Sequence, residues 1–234
     1  MTKPLPDSHI PVLAMFKHQG VIPSFYHSDL HTLVHVMKIA YQCGARTFEF
    51  VHHRDSRSRR FFDVLLQEAA ALPGMKLGVG AVLDPATAQA YIKDGAAFIV
   101  SPFIHEQTSN YCHQKEVLWI PGCSHLQDVS SAVRMGAQVV TILPVSGSGL
   151  SFMKQISVAY PAVTLIPSFG NHIEENTFHL WFDAGALSIR LGDVLFARES
   201  VAIRDWTKIE QQVYQIFQTA KLIKKNVQQA QSIL

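Results

Sequence analysis

Eight short runs rich in apolar and β-branched residues alternate with amphipathic helical stretches along this chain, and this alternation constrains the fold more than any other feature. Parallel strands need long crossover connections, so strict alternation predicts a parallel sheet covered by helices. Eight such units predict a closed α/β barrel of the (β/α)8 type, for which 234 residues is a suitable length. The predicted strands are residues 20–26, 47–51, 76–82, 97–100, 117–120, 138–143, 163–167 and 186–189.

Gly-Ala pairs support a repeated two-unit module, because one pair precedes every second predicted strand. A glycine in this place suits the left-handed C-cap of the preceding helix. The pairs are Gly44-Ala45, Gly95-Ala96, Gly136-Ala137 and Gly185-Ala186. Residues 9–20 predict an N-terminal helix that plugs the barrel floor, and residues 205–234 predict a long C-terminal helix. No internal linker is visible, so we expect one domain over residues 1–234.

The composition narrows the classes of partner. A formal net charge of +2 is too small to indicate nucleic-acid binding. Cys43, Cys112 and Cys123 show neither metal-ligand spacing nor a paired framework, which is typical of a reducing compartment. The N-terminal residues lack an apolar run of signal length, and no segment has the length and apolarity of a membrane span. We expect a cytoplasmic protein that binds neither nucleic acid nor membranes.

The second predicted strand carries a candidate catalytic carboxylate. In a barrel of this type, functional groups lie at the carboxyl ends of the strands and in the loops that follow. Phe48 and Phe50 suit the helix-covered face, and Glu49 between them then points into the barrel. A buried carboxylate is costly unless it is paired or hydrogen-bonded. Glu49 is therefore a candidate general acid or base, with a structural ion pair as the alternative.

Several residues at other strand ends are candidates for ligand binding. His53 and Arg54 follow the second strand, where cations hold a carboxylate or phosphate. Glycines at the later strand ends can present backbone N–H groups to an anion. Beside His53 and Arg54, the predicted substrate-binding residues are Pro102, Ser168, Gly170, Arg190, Gly192 and Asp193.

Together these segments resemble the class I aldolases that cleave 2-keto-3-deoxy-6-phosphogluconate or 4-hydroxy-2-oxoglutarate to pyruvate and an aldehyde. The resemblance extends from about Val21 to the final helix and is carried by "GVIPSFYHSD", "RTFEF", "LGVGAVLDPATAQAYI", "SPF", "WIPGCS", "LWFDAGA" and "RDWTKI". It implies a TIM barrel, a trimeric homo-oligomer, a small keto-acid or sugar-acid ligand, and no metal or cofactor.

The chain departs from the family pattern at the catalytic position. The resemblance implies that a lysine on the sixth strand forms a Schiff base and that a glutamate on the second strand moves protons. Glu49 stands at the glutamate position, but Thr141 stands at the lysine position, and threonine has no amine to form an imine. The family arginine that holds the pyruvyl carboxylate is replaced by His53, with Arg54 beside it.

Further departures affect the phosphate site, which the family builds from glycine-rich segments after the seventh and eighth strands. This chain has Phe169-Gly170 in the first segment and Arg190-Leu191-Gly192-Asp193 in the second. A phenylalanine hinders close backbone approach, and an aspartate repels a phosphate. Ala81 stands where the family has a threonine at the end of the third strand.

Three functional hypotheses follow. The first is a family barrel whose classical lyase activity is impaired or lost. The second is an active lyase that uses a relocated Lys154, or a divalent metal held by residues such as Glu49, His53, His125 and Asp193. The third is a non-catalytic binding or assembly module in which Arg190 pairs with Glu49 and fills the former pocket.

Overall fold

A computed structural model describes residues 6–143, 149–170, 173 and 177–231. In this part of the chain eight parallel strands pair in sequence order and close into a barrel, which confirms the predicted (β/α)8 fold. The strands are β1 Val21–Phe25, β2 Thr47–Val51, β3 Lys76–Gly80, β4 Phe98–Ser101, β5 Leu118–Cys123, β6 Val139–Ile142, β7 Thr164–Phe169 and β8 Ile189–Leu191.

Helices alternate with these strands and cover the outside of the barrel. They are α1 Ile10–Gln19, α2 Leu30–Gln42, α3 Ser58–Ala70, α4 Pro85–Asp94, α5 Glu106–Gln114, α6 Leu126–Arg134, α7 Gly149–Ala159, α8 Phe178–Asp183, α9 Arg198–Ala202 and α10 Trp206–Gln231. None of the helices in these ranges is both long and apolar enough to cross a membrane.

Local sequence signals set the helix ends. The Asp84 side chain accepts a hydrogen bond from the Thr87 backbone N–H at 2.8 Å, and Pro85 begins α4. The glycines of the four Gly-Ala pairs all have positive φ angles, from 86° to 112°. This backbone conformation is the left-handed one that the Gly-Ala repeat predicts, and it turns the chain from each helix into the next strand.

The N-terminal helix closes the amino-terminal end of the barrel, as predicted. Val12 and Phe16 are buried in one cluster with inward-facing strand residues such as Phe98. The rings of Phe16 and Phe98 meet edge to face with their centroids 5.2 Å apart. The Gln19 side chain adds hydrogen bonds from its amide nitrogen to the Val21 carbonyl and the Thr47 hydroxyl.

The C-terminal helix is confirmed. Its basic run over residues 221–225 has a composition typical of a solvated helix, but it contains one buried lysine. Lys224 is only 8% exposed, and its ammonium donates a hydrogen bond to the Leu187 carbonyl. Burial, together with the charge of Lys17, lowers the pKa of Lys224 to about 8. The helical period explains the difference, because Lys224 falls on the same face as the buried Phe217 and Ala220.

The last two strands, β7 and β8, end further along the chain than predicted. Strand β7 extends to Phe169 rather than ending at residue 167, and β8 begins at Ile189 rather than at residue 186. As a result, Ser168 and Arg190 lie within paired strands, with their Cα atoms in register. Both side chains belong to the barrel rather than to the loops above it.

Candidate functional site: a buried ion pair in the barrel

Glu49 points into the barrel, and its side chain is completely buried. Its neighbours Phe48 and Phe50 point outward, where Phe50 packs against Phe62 of α3 at a centroid distance of 5.9 Å. This alternation is the one that the sequence predicts for β2. Glu49 is therefore a carboxylate removed from water, and its stability depends on the partners that it meets.

The partner of Glu49 is Arg190 from β8. The Arg190 Nε atom donates to Oε2 of Glu49 at 2.5 Å, and Nη2 donates to Oε1 at 2.5 Å. Parallel bonds of this kind are the strongest form of carboxylate–guanidinium pairing. Burial opposes the charge on Arg190, but the charge and hydrogen bonds of Glu49 outweigh it and raise the pKa of the guanidinium.

Two serines complete the coordination of the guanidinium. Nη2 of Arg190 also donates to the Ser24 hydroxyl at 2.9 Å, and Nη1 donates to the Ser168 hydroxyl at 2.7 Å. Ser24 and Ser168 lie on β1 and β7, the two strands that flank β8. The arginine side chain remains 19% exposed, so solvent at the mouth of the barrel reaches part of it.

Two glycines of β3 make room for this arrangement. A Cβ atom at Gly80 would lie 1.6 Å from Oε1 of Glu49, and one at Gly78 would lie 2.2 Å from the ring of Phe98. Because β3 has no side chain at Gly78 or Gly80, it leaves space for the Phe98 ring and the Glu49 carboxylate. Ala81, directly after them, has a φ of 56°, which is uncommon for a residue with a side chain.

Thr141 lies on β6 with its side chain fully buried, paired in register with Ile166 of β7. Its hydroxyl donates to the Ile166 carbonyl at 2.9 Å. Among the lysines in the described ranges, Lys224 alone is classed as buried, and its bond to Leu187 places it at the opposite, amino-terminal end of the barrel. Lys154 is exposed on α7.

The residues predicted in the loop after β2 lie at the rim. His53 is exposed and stacks on Tyr26, with ring centroids 4.8 Å apart. Arg54 is also exposed and forms no ion pair with any described residue. The adjacent Asp55 is paired with Arg57 at 2.5 Å. His53 and Arg54 therefore lie exposed in this loop, outside the barrel interior that holds the buried pair.

The ends of β7 and β8 form a second part of the rim. Gly170 is exposed, with open space where a Cβ atom would lie. Asp193 follows Gly192 and pairs with Arg198 at 2.7 Å. Beside them is a cavity of about 410 Å³ lined by Ile173, Asp193, Val194, Ala197, Arg198, Glu199 and Gln212. Neither Glu49 nor Arg190 lines this cavity, so it is separate from the ion pair.

Pro102 contacts the neighbouring strand β5 through its backbone carbonyl. It is exposed after β4, and its carbonyl oxygen would lie 2.4 Å from a Cβ atom at Gly122 of β5. The sequence-predicted site residues thus divide into two sets. Glu49, Thr141, Ser168 and Arg190 lie inside the barrel, whereas His53, Arg54, Pro102, Gly170, Gly192 and Asp193 lie on its rim.

The residues named for a metal at the barrel mouth do not come together. In the parts of the chain that the structure describes, no three His, Cys, Asp or Glu side chains are gathered as a metal site. Glu49 is bound by Arg190 and Asp193 by Arg198. His125 begins α6 with its side chain 82% exposed and is directed to Asp128.

Sequence reasoning missed two features. Ser24 was not named, although the alternation of β1 predicts that it faces inward with Ile22. The second feature is the pair His31 and His35, whose spacing places both on one face of the predicted helix over residues 29–43.

Comparison with known proteins identifies the family. The KDPG and KHG aldolase profile matches residues 12–212. A curated relative, the 2-dehydro-3-deoxy-6-phosphogalactonate aldolase of Escherichia coli K12, is 29% identical over 120 residues, which are 51% of this chain and 58% of that protein. The 2-dehydro-3-deoxy-phosphogluconate aldolase of Pseudomonas aeruginosa is 30% identical over 99 residues, which are 42% of this chain and 45% of that protein. The chain thus spans about half the length of the curated relatives it matches.

The fold agrees with solved structures. The KDPG aldolase of Legionella pneumophila, with pyruvate captured as a covalent carbinolamine intermediate, superposes with a TM-score of 0.77 at 19% identity. The match covers 88% of this chain and 97% of that chain. At 19% identity this superposition shows only that the fold is shared. The family profile matches most of the chain, and this match shows that the protein belongs to the KDPG and KHG aldolase family.

Proposed function

We propose that this protein keeps the family barrel but has lost Schiff-base aldol cleavage, and that it binds a small keto acid or sugar acid without forming a covalent bond. The observation that carries the proposal is the double hydrogen bond between Arg190 and Glu49 in the barrel interior. In this proposal Glu49 and Thr141 occupy the two family catalytic positions, and neither performs the family reaction.

The first step concerns the amine that class I aldolases use to form an imine, the electron sink of the reaction. Class I cleavage needs a neutral amine that attacks the substrate ketone and forms an imine. The resemblance assigns the amine position to Thr141, whose hydroxyl is buried and donates to the Ile166 carbonyl. Lys154 is exposed on α7 and Lys224 is at the other end of the barrel. No described lysine is therefore placed to replace the missing amine.

The second step concerns the carboxylate. A general base must direct a free lone pair at the proton that it removes. Each oxygen of Glu49 accepts one hydrogen bond from Arg190, so a substrate proton could reach only the lone pairs that Arg190 leaves free. Even a free Glu49 would supply only the general acid–base contribution, about 10²–10⁴-fold, without the imine.

The rim favours a ligand with a carboxylate and no phosphate. His53, Arg54 and the exposed part of Arg190 offer donors to a carboxylate. Asp193 lies in the segment where the family holds phosphate, and it occupies Arg198, a cation that a phosphate would otherwise use. We expect the protein to be a cytoplasmic homo-oligomer, a trimer as the family pattern implies, which sedimentation analysis can test.

Borohydride trapping tests the loss of imine chemistry. The purified protein is incubated with pyruvate and borohydride, which converts an imine into a stable adduct, and is then weighed by mass spectrometry. We expect no adduct on the folded protein, while an active family aldolase treated in parallel gains one. An adduct on Lys154 or any other lysine would overturn the proposal.

A second candidate function rests on the same ion pair. If Arg190 fills the former pocket completely, the barrel is an assembly module with no small-molecule ligand. Calorimetric titration with pyruvate separates the two. Saturable binding to the unmodified protein supports the ligand-binding proposal, whereas binding that appears only in Arg190→Ala supports the assembly module.

A further inference from the structure

His31 and His35 form an exposed pair of imidazoles on α2. They are four residues apart, so they lie one helical turn apart on the same face. Their rings are nearly parallel, with an interplanar angle of 15° and centroids 6.1 Å apart. His31 is exposed and His35 is half-buried. Two imidazoles in this spacing can present nitrogen atoms to one ion, as in helical metal-binding motifs.

The ring nitrogens are not used by the fold. Neither the His31 nor the His35 side chain makes a hydrogen bond to any residue that the structure describes, in contrast to His27, whose Nδ1 accepts from the Asp29 N–H at 3.0 Å. A histidine that ligates a metal needs one such nitrogen with its lone pair directed outward. The pair therefore offers two donors that no described residue occupies.

The C-terminal helix α10 packs against the histidine pair through its first residue. Trp206, the first residue of α10, packs on His35 with ring centroids 4.5 Å apart. Burial, together with the charges of His31 and Lys38, lowers the pKa of His35, and the charge of Glu210 on α10 opposes this shift. Lys38 is itself paired with Glu68 at 2.7 Å. The site thus has an aromatic side formed by Trp206.

We propose that His31 and His35 chelate a divalent transition-metal ion of borderline softness, such as Cu²⁺, Ni²⁺ or Zn²⁺. Imidazole ligands suit these ions, and Cu²⁺ binds most tightly among them. With two protein ligands, the remaining positions are filled by water and stay open to an external ligand. The site lies on the outside of the barrel and is independent of the function proposed for the interior.

Copper titration tests this site because Trp206 reports occupancy. Cu²⁺ is paramagnetic and quenches the fluorescence of a nearby indole. The other two tryptophans, Trp119 and Trp181, are buried at 2% and 8% exposure. After treatment with a chelator, we expect Cu²⁺ to quench the fluorescence saturably with one ion bound per chain. Excess chelator should then remove the ion and restore the signal.

Variants assign the ligands. His31→Ala and His35→Ala should each weaken Cu²⁺ binding by at least about tenfold, the smallest loss expected when even an outer-shell partner of a metal is removed. His179→Ala is the matched control, because His179 is an exposed histidine on α8. Trp206→Phe should keep binding, measured by calorimetry, and lose the quenching.

The outcome is decisive in either direction. His31→Gln repeats the test with a helix-compatible side chain, and circular dichroism verifies that each variant is folded. Absence of saturable Cu²⁺ binding would overturn the proposal. Equal Cu²⁺ affinity in the two histidine variants and in His179→Ala would also overturn it, because the ion would then bind elsewhere on the surface.

Discussion

A Cβ atom at Gly80 would lie 1.6 Å from Oε1 of Glu49. The third strand therefore has no side chain at the level of the buried carboxylate, and the carboxylate occupies that space. Because Glu49 is also held by Arg190, the three positions on β2, β3 and β8 are coupled. Changing any one of them changes the environment of a buried charge.

Gly80→Ala should destabilise the protein strongly. The new methyl group forces the Glu49 carboxylate away from Arg190, and disrupting a buried pair costs about 3–5 kcal/mol. The change in the free energy of unfolding is measured by urea denaturation. Gly170→Ala is the matched control and should change stability by less than about 1 kcal/mol, because a Cβ atom there meets open space. Equal effects of the two substitutions would show that Glu49 does not occupy the space beside Gly80.

Arg190→Met should be more harmful alone than together with Glu49→Leu. The single variant leaves a fully buried carboxylate without its cation, which costs about 3–5 kcal/mol, whereas two apolar side chains remove both charges. We therefore expect the double variant Glu49→Leu/Arg190→Met to regain most of the lost stability in urea denaturation. The set of single and double variants measures the coupling directly, and strictly additive losses would contradict the pairing.

The sequence predicted the barrel well because its alternation of short strands and helices is a regular signal that each unit repeats. It also predicted that Glu49 faces inward, because Phe48 and Phe50 fix the two faces of β2. The positions of Ser168 and Arg190 within paired strands were harder to predict. Strand β8 has only three residues, and its ends depend on hydrogen bonds to β1 and β7 that are far away in the sequence.

The division of the site into an interior and a rim could not be predicted from the sequence. Whether Arg190 meets Glu49 or a ligand depends on the stagger of the barrel strands, which places β8 next to β1 across the closure. The burial of Lys224 could not be predicted from composition either. A basic run of three lysines is typical of solvated helix, but the helical period turns one of them toward the barrel.

Thr141→Lys should introduce imine chemistry if Thr141 occupies the family lysine position. The new amine would be buried inside the barrel, and burial lowers the pKa of a lysine and favours the neutral nucleophile. Pyruvate with borohydride should then label residue 141, located by peptide mass spectrometry, while the unmodified protein and Thr141→Arg gain no adduct. A folded Thr141→Lys variant that remains unlabelled would place the family lysine position elsewhere.

Lys224→Met should stabilise the protein at neutral pH. The pKa of Lys224 is lowered from 10.5 to about 8, so the folded state holds the proton less tightly than the unfolded state. Below pH 8 both states are protonated and the full penalty, about 3 kcal/mol from the pKa difference, is present. The lost hydrogen bond to Leu187 offsets about 1 kcal/mol of the gain. We expect a net stabilisation of about 2 kcal/mol at pH 7.

The same substitution has a defined pH dependence. As pH rises from about 8 to 10.5, the unfolded chain retains a proton that the folded protein has released, so the stability of the unmodified protein rises relative to Lys224→Met. The advantage of the variant should therefore shrink across this window and be absent above pH 10.5. Urea denaturation at pH 7 and at the upper end of the window measures it. Lys225→Met, at the exposed neighbouring position, should show no such dependence, and a pH-independent effect of Lys224→Met would mean that the Lys224 ammonium is solvated in the folded protein.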